Sequence, residues 1–417
     1  MERLVFHVDV NSAFLSWEAA RRVAHGDADI RLIPSAVGGD REKRTGVILA
    51  KSIPAKKFGI KTGEPVGMAL RKCPELFLVR PDFQLYEKSS EAFMNICRTY
   101  APAVEKYSID ECFLDMSGTG NLYPDPLAIA TKIKDEIRDT LGFTVNVGVG
   151  PNKLLAKMAS DFEKPDRVHT LFVSEMGTKF WPLPAESLFT VGRATAERLR
   201  RAGIKTIGEL ARTDPRRLKS LFGVKLGEHL HAYANGIDTS PVLAEPEEAK
   251  GYSNETTLET DVKTAEAAQR ILLALSDSVA SRMRADGAKA FRVSVTIRGN
   301  DFKNRSHQRK LAEATDVTSE IYEITKQLFN ELWDKRTPLR LLGVSLTDLL
   351  REGYAQQSLF PDEKREREQK LDRAVDSIRR KYGSGTIVRG AVLESGAKVG
   401  KKYQAQMDNR RDKKEKF

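Results

Sequence analysis

Cysteine, tryptophan and histidine are rare in this chain, with 3, 3 and 6 copies among 417 residues. Cys73, Cys97 and Cys112 show neither the spacing of a zinc site nor an even number, which predicts reduced thiols. No apolar run approaches the roughly 18 residues of a membrane span, and the first apolar segment ends too early for a signal peptide. These absences predict a cytoplasmic protein that does not bind a membrane.

Basic residues are in excess, since 69 lysines and arginines against 58 aspartates and glutamates give a net charge of +11 and a pI near 9.3. This excess predicts a polyanionic partner without identifying it. The chain should fold as several domains, because single hydrophobic cores stop growing at about 250–300 residues.

Three carboxylates interrupt segments that otherwise have the composition of buried strands. Asp9 lies in the run LVFHVDV, and Asp110 and Glu111 lie in the run YSIDECFLD. Burying unpaired charge costs several kcal/mol, so a cation is expected beside them. Oxygen ligands suit Mg²⁺, and a two-metal site can stabilise both the attacking and the leaving oxygen of a phosphoryl transfer. The alternative for Asp110 and Glu111 is a solvated strand end with a salt bridge.

Four motifs follow one another along the chain: DVNSAF at 9–14, KKFGIKTG at 56–63, SIDE at 108–111 and GVGPNKLLAK at 148–157. Together they resemble the Y-family translesion DNA polymerases of the bacterial DNA polymerase IV type, from residue 1 to about residue 350. The resemblance implies an α+β multidomain fold, the right-hand polymerase. Its parts are a ferredoxin-like palm, small fingers, a helical thumb with a helix-hairpin-helix, and an α/β little finger domain.

The resemblance and the local patterns together predict the domain boundaries. These are palm 1–12 and 80–170, fingers 13–79, thumb 171–235, linker 236–249, little finger 250–350 and tail 351–417. Apolar periodicity predicts helices at 126–141, 262–285 and 318–334. Alternating or β-branched runs predict strands at 143–149, 291–298 and 339–347, and the basic segment 303–310 is interpreted as a hairpin.

By resemblance, Asp9, Asp110 and Glu111 are catalytic and hold two Mg²⁺ ions together with the carbonyl oxygen of Val10. The implied reaction transfers a nucleotide from a dNTP to the 3′-hydroxyl of primer-template DNA, at low fidelity and past damaged bases. Phe14 takes the position of the steric gate that excludes a ribonucleotide 2′-hydroxyl. Core packing is the alternative for Phe14.

The resemblance also assigns nucleotide-binding roles to Lys56 and Lys157. Lys153 shares a helix face with Lys157 and has the alternative of a solvated surface residue. Ile53 replaces the tyrosine and Lys56 the arginine that are usual in the family, and both changes predict weaker phosphate contacts. Asn11 replaces a second acidic residue that the family often carries.

DNA contacts are implied in the thumb and in the little finger. Val191 and Gly192 would offer backbone N–H groups to a phosphate at the start of a helix. Thr190 stands where many such hairpins have glycine, so a plain helical turn is the alternative. Strand alternation places Arg292 and Arg298 on one face of the sheet. This face and the basic hairpin that contains Arg305 would follow the template phosphates. The alternative is an ordinary solvated face.

The tail contains two further features. Gln356, Leu359 and Phe360 in the segment QQSLF resemble the pentapeptide by which bacterial polymerases bind the sliding clamp, the alternative being a strand or turn that packs on the little finger. Beyond it, helical spacing predicts a short amphipathic helix that binds either the rest of the chain or a partner. The apolar residues at this spacing are Leu371, Ala374, Val375 and Ile378.

The sequence thus predicts a monomeric DNA polymerase. The main rival is a catalytically silent Y-family paralogue that acts as a clamp-binding adaptor in a mutagenesis complex. Retention of Asp9, Asp110 and Glu111 argues against this rival, whereas Ile53 and Lys56 favour it. A structural DNA-binding protein would leave the acidic residues unexplained.

Overall fold

The computed structural model describes residues 3–39, 46–245, 247–351, 363–383 and 385–393. The described part of the chain divides into two compact units, the first made of residues 3–39, 47–245 and 247, the second of the described residues from 248 onward. Within the described ranges, no helix is long and apolar enough to cross a membrane.

The first unit contains eight strands and ten α-helices among its described residues. In chain order these are β1 (Val5–Val10), α1 (Ala13–Ala24), β2 (Ser35–Gly38), β3 (Ile48–Lys51), α2 (Ile53–Lys57), α3 (Val66–Lys72), β4 (Phe77–Val79), α4 (Phe83–Tyr100), β5 (Ala103–Lys106), β6 (Glu111–Asp115), α5 (Pro126–Leu141), β7 (Val145–Gly150), α6 (Lys153–Ser160), β8 (Val168–Thr170), α7 (Arg193–Arg201), α8 (Ile207–Arg212), α9 (Pro215–Phe222) and α10 (Val224–Ala234). The helix predicted at 126–141 is confirmed as α5.

A five-stranded sheet with the order β5-β6-β1-β7-β8 forms the centre of this unit. Strand β1 is buried along its whole length because helices cover both faces of the sheet. Phe6 and Val8 join the core that α4 and α5 complete on one face. On the other face Val5 packs with Phe113 and with Ala156 of α6. The side chains of Val5, His7 and Asp9 therefore share the α6 face, since alternate strand residues point the same way.

Two smaller parts complete the first unit. A three-stranded sheet of order β3-β2-β4 has its own core, which includes Ile48, Ala55 of α2 and Val66 of α3. Helices α7 to α10 form a helical part whose core continues into Leu154 and Leu155 of α6.

The second unit contains β9 (Gly251–Val262), α11 (Ala265–Ala285), β10 (Lys289–Gly299), β11 (Asn304–Thr315), α12 (Thr318–Leu332), β12 (Leu339–Leu350), α13 (Glu363–Tyr382) and α14 (Gly390–Leu393). Its antiparallel sheet has the order β11-β10-β12-β9. Residues 293, 295 and 297 of β10 are buried in the core shared with α11 and α12, and the residues between them are partly exposed. The predicted alternation of β10 is confirmed. The prediction that the segment 303–310 forms a hairpin is wrong, because nearly all of this segment belongs to the single strand β11.

Candidate active site

The acidic residues meet where β1 and β6 lie side by side. Asp9 and Glu111 are direct partners in the antiparallel register. Directly opposed residues carry their side chains on the same face, so both carboxylates lie on the face that α6 covers. Asp110 precedes β6, and its carbonyl oxygen accepts the N–H of Val10 at 3.0 Å. The sheet register therefore brings Asp9, Val10, Asp110 and Glu111 to one end of the strand pair.

Two lysines supply positive charge to these carboxylates. Lys164 Nζ lies 3.1 Å from Asp9 Oδ2, and Lys157 Nζ lies 3.0 Å from Glu111 Oε1. Burial raises the pKa of Asp9 to about 7 although Lys164 opposes the rise, and the charge of Glu111 adds to it. Asp9 thus lacks enough nearby positive charge to stay fully ionised near neutral pH, which is the electrostatic situation of a site for an additional cation.

The donor set fits Mg²⁺, because carboxylate and carbonyl oxygens are the ligands that this ion prefers. Asp110 Oδ1 accepts a hydrogen bond from Ser108 Oγ at 2.6 Å. In the conformation described, no three acidic, histidine or cysteine side chains among the placed residues converge closely enough to hold a metal ion.

Asn11 is engaged elsewhere and is not available as a metal ligand. Its Oδ1 accepts the hydroxyl of Thr144 and the N–H of Asp166, both at 3.0 Å. Its Nδ2 donates to Asn146 Oδ1 at 3.1 Å. The asparagine at this position joins a buried network that ties β1 to β7.

His7 is a residue of the site that sequence reasoning missed. Its ring is fully buried, with Nδ1 2.8 Å from Ser160 Oγ and Nε2 3.7 Å from Glu111 Oε2. Nε2 forms no hydrogen bond within the described structure. Burial lowers the pKa of His7 to about 4, so the ring is neutral at pH 7. The signal was present, because His7 stands two residues before Asp9 and strand alternation places both on one face.

The position of Lys157 follows from the close packing of α6 on β7. A Cβ at Gly148 would lie 1.9 Å from the carbonyl oxygen of Ala156, so only glycine permits this approach. The Lys157 ammonium lies 5.9 and 5.5 Å from the ring centres of Tyr107 and Phe189. Glu111 is its ion-pair partner, so the ammonium is held at the acidic end of the strand pair.

Lys153 has a different role from Lys157. Its ammonium lies 2.6 and 2.8 Å from the two carboxylate oxygens of Glu105 and 4.9 Å from the ring centre of Phe113. The side chain is only 14% exposed, which excludes the solvated surface residue considered from the sequence. Lys153 is therefore held in a structural ion pair, which disfavours it as a phosphate ligand.

The nucleotide-binding candidates of the first unit lie on α1 and α2. The Phe14 ring stacks on Tyr86 with a centroid distance of 4.7 Å, and Phe83 contacts its edge at 6.3 Å. Phe14 is half-buried. On α2, Lys56 is exposed and Ile53 is 58% exposed. Burial and the charge of Lys56 lower the pKa of Lys51, which adds a second lysine to this neighbourhood.

The turn before α7 departs from ideal backbone geometry at Thr190. This residue has φ 77°, a left-handed conformation that is energetically unfavourable for a β-branched side chain. The next residues lead into α7, for which Gly192 is the N-cap without a side-chain hydrogen bond. Val191 donates its N–H to the carbonyl of Leu188 at 2.9 Å. The uncapped start of α7 leaves backbone N–H groups that a phosphate can accept.

Thr190→Gly is expected to be more stable than Thr190→Ala by about 0.5–1 kcal/mol. Both variants lose a hydrogen bond of Thr190, and only glycine removes the left-handed penalty of roughly 1–2 kcal/mol, at an entropic cost of about 0.5–1 kcal/mol. That bond joins Thr190 Oγ1 and His229 Nε2 at 3.0 Å and is exposed. Urea unfolding of the full chain measures the change. Thr190→Ala is the control, because it loses the same bond and keeps the strain. A glycine variant no more stable than the alanine variant would refute the strain.

The predicted arginines of the second unit lie on two different faces of its sheet. Arg292 and Arg298 share the face opposite the helices, where Lys310 is the cross-strand partner of Arg292. Arg305 pairs with the buried Ile297, so it points to the helix side and lies 3.2 Å from Asp334. Arg305 therefore does not share the face of the other two arginines, and Lys310, which the sequence did not single out from the basic segment, does. Gln356, Leu359 and Phe360 fall outside the described residues.

Two features define the class of right-hand nucleic-acid polymerases. One is a palm-like sheet in which two paired strands present acidic residues, and the other is an adjoining helical part with an open helix start. The comparisons with known proteins agree. Residues 8–161 match the impB/mucB/samB family, residues 249–359 match the C-terminal domain of that family, and residues 186–238 match the thumb domain of DNA polymerase-iota.

Relatives match along most of their length. The chain is 46% identical to DNA polymerase IV of Clostridium acetobutylicum over 95% of this chain and 100% of that protein. It is 36% identical to DNA polymerase IV of Clostridium kluyveri over 94% of this chain and 99% of that protein. A Y-family DNA polymerase chimera of known structure superposes with a TM-score of 0.72 at 24% identity, over 84% of this chain and 100% of the chimera. The chain belongs to the Y family of DNA polymerases, with the bacterial DNA polymerase IV proteins.

Proposed function

We propose that this DNA-directed DNA polymerase performs translesion synthesis by two-metal nucleotidyl transfer from a dNTP to a primer 3′-hydroxyl. The observation that carries the proposal is the direct pairing of Asp9 with Glu111 on one face of the sheet, beside Asp110. A silent adaptor would have no use for this arrangement, because like charges on paired strands repel unless a cation binds them.

Asp9, Asp110, Glu111 and the carbonyl oxygen of Val10 would hold the two Mg²⁺ ions. When bound, these ions lower the pKa of the primer hydroxyl and stabilise the pyrophosphate leaving group. The protein contributes position and charge. Lys157, released from Glu111, would bind the triphosphate together with Lys56, and Phe14 would lie under the sugar.

Primer extension with Mg²⁺ and each deoxynucleotide tests the proposal. Extension that follows the template base supports a polymerase. DNA binding without extension in a well-folded protein refutes it and supports the adaptor. Extension on a template with a damaged base then tests lesion bypass separately.

Phe14→Ala is expected to admit ribonucleotides, because the barrier to the 2′-hydroxyl is steric. Stacking on Tyr86 fixes the ring, so its removal opens space that neighbouring side chains do not fill. Single-nucleotide incorporation measures kcat/KM for matched ribo- and deoxynucleotides. Tyr86→Phe is the control, because it keeps the stack and removes only the hydroxyl. An unchanged ribonucleotide preference would assign Phe14 to the core alone.

Arg298→Gln and Arg292→Gln are expected to weaken DNA binding and to reduce the slope of log Kd against log salt by about 1 for each phosphate that is no longer neutralised. Arg305→Gln is the matched control, because Arg305 lies on the other face and contacts Asp334. Fluorescence anisotropy with primer-template DNA between low and moderate salt measures the slopes. Equal decreases in affinity for Arg298→Gln and Arg305→Gln would contradict the assignment of the DNA to the open face.

The remaining parts of the proposal concern partners and domains. Gln356, Leu359 and Phe360 would bind a bacterial sliding clamp. Gly192 and the open start of α7 would bind a DNA phosphate, whereas the expected N–H of Val191 is already donated to the carbonyl of Leu188. The proposed boundaries of the palm, fingers, thumb and little finger are those expected from the sequence. The expected tail is not all separate, because α13 packs on the second unit through Asp372, Asp376 and Arg379. The protein would act in the cytoplasm as a monomer.

A further inference from the structure

Helix α13 turns polar side chains inward and apolar side chains outward. Asp372, Asp376 and Arg379 are buried. Leu371, Ile378 and Tyr382 are 57%, 36% and 63% exposed, and their spacing of seven and four residues places them in one stripe. The helix predicted from the apolar spacing is confirmed as α13. Its apolar face, however, is not the face that packs against the rest of the second unit.

Buried ion pairs fix this orientation. Asp376 accepts hydrogen bonds from Arg284 Nε and Ser281 Oγ, both at 2.7 Å. Asp372 accepts the N–H of Thr318 at 2.8 Å, and Arg379 lies 2.8 Å from Asp277. Turning the helix would leave the Arg284 guanidinium, which is 7% exposed, without its carboxylates. The apolar stripe is therefore held facing outward.

The stripe has no partner in the core of its own unit. Among the described residues, none of the buried apolar side chains of that core comes from α13. Exposed basic residues lie beside the stripe on the side of α13 that faces away from the unit, which favours an acidic partner. They are Arg367, Lys370 and Lys381.

Charge disfavours two other binding partners for the apolar stripe of α13. A second copy of the helix would bring the same basic residues face to face. The C-terminal residues 394–417 contain 8 lysines and arginines against 4 aspartates and glutamates, so this segment is also basic. DNA would satisfy the basic residues but would leave the apolar stripe unused.

Chain connectivity limits which protein can reach the stripe. Glu363, the first residue of α13, follows Phe360 by three residues, which span at most about 11 Å. Leu371 lies eight helical residues further, which adds about 12 Å. A protein that holds Leu359 and Phe360 is therefore within reach of the stripe.

We propose that the outward face of α13, formed by Leu371, Ile378 and Tyr382 with its basic flanks, is a second contact for the sliding clamp. It binds an apolar patch with an acidic rim on the clamp, next to the site of the pentapeptide. This inference rests on the clamp interaction in the proposed function. It adds a rigid helix to a short peptide, so part of the binding surface is preorganised.

The test measures binding of the full-length protein to a purified bacterial sliding clamp. Leu371→Gln with Ile378→Gln keeps good helix formers and is expected to raise Kd about tenfold. Leu122→Gln is the matched control, because Leu122 is 75% exposed in the first unit. An unchanged Kd in the helix variant overturns the inference, and so does an equal rise in Kd with Leu122→Gln. Circular dichroism verifies that the variants are folded.

The pentapeptide variant Leu359→Ala with Phe360→Ala separates the two hypotheses. If the pentapeptide variant abolishes clamp binding while the helix variant binds the clamp like the parent, the pentapeptide binds the clamp and the proposed helix contact is wrong. If only the helix variant loses affinity, the pentapeptide assignment fails and the helix contact stands. Sedimentation adds a further outcome: self-association of the parent that the helix variant abolishes would identify a second copy as the occupant and overturn the inference.

Discussion

Asp110→Asn and Glu111→Gln are each expected to reduce the rate of primer extension at least about 1000-fold while leaving DNA affinity unchanged. A bound metal contributes several kcal/mol to transition-state stabilisation, and each 1.36 kcal/mol corresponds to a factor of ten in rate. DNA affinity should persist because the proposed DNA contacts lie on other elements, at α7 and on β10. Single-turnover extension and fluorescence anisotropy measure the two quantities separately.

The two substitutions differ in their expected effect on stability. Asp110 is partly exposed and bonded to Ser108, so Asp110→Asn should be nearly neutral. Glu111→Gln leaves the buried Lys157 ammonium without a counter-charge, which should destabilise the protein. Mg²⁺ should raise the melting temperature of the parent and raise it less in both variants. Full extension activity in either variant would remove that residue from the metal site.

The acidic site could be predicted because its signal is local. Asp9, Asp110 and Glu111 each stand in an apolar run, which predicts a cation beside them. That the three form one site was implied by the resemblance to the Y family, and the register of β1 with β6 brings them together. Lys164 could not be predicted, since its contact with Asp9 depends on the path of the chain after α6. His7 could have been found from its spacing to Asp9, although only the packing of Ser160 against it shows why the residue is polar.

The second unit shows a different limit of sequence reasoning. Alternation correctly separated the two faces of β10, but the face of Arg305 depends on the register of β11 against β10. For α13 the periodicity predicted the helix and could not predict which face is buried. The residue that decides this, Arg284, lies 88 and 92 residues away in sequence from Asp372 and Asp376. Long-range ion pairs leave no pattern in a local window.

Asp372→Asn combined with Asp376→Asn is expected to destabilise the second unit by about 3–5 kcal/mol, because it leaves a buried guanidinium without carboxylates. Arg284 is 7% exposed, so water cannot replace the missing charges. Hydrogen exchange of the α11 amides and a urea titration of the full chain measure the decrease in stability. Release of α13 from the unit should accompany it.

Asp348→Asn is the matched control for this prediction. It removes the exposed ion pair of Asp348 with Arg292, whose atoms lie 2.7 Å apart, and should cost at most about 1 kcal/mol. Adding Arg284→Met to the double variant should recover part of the stability, since the unpaired charge is then gone. If Asp348→Asn lowers the free energy of unfolding as much as the double variant does, apolar packing and not Arg284 holds α13 on the unit. In that case the stripe of Leu371 and Ile378 would be free to turn inward, and its outward orientation would need another cause.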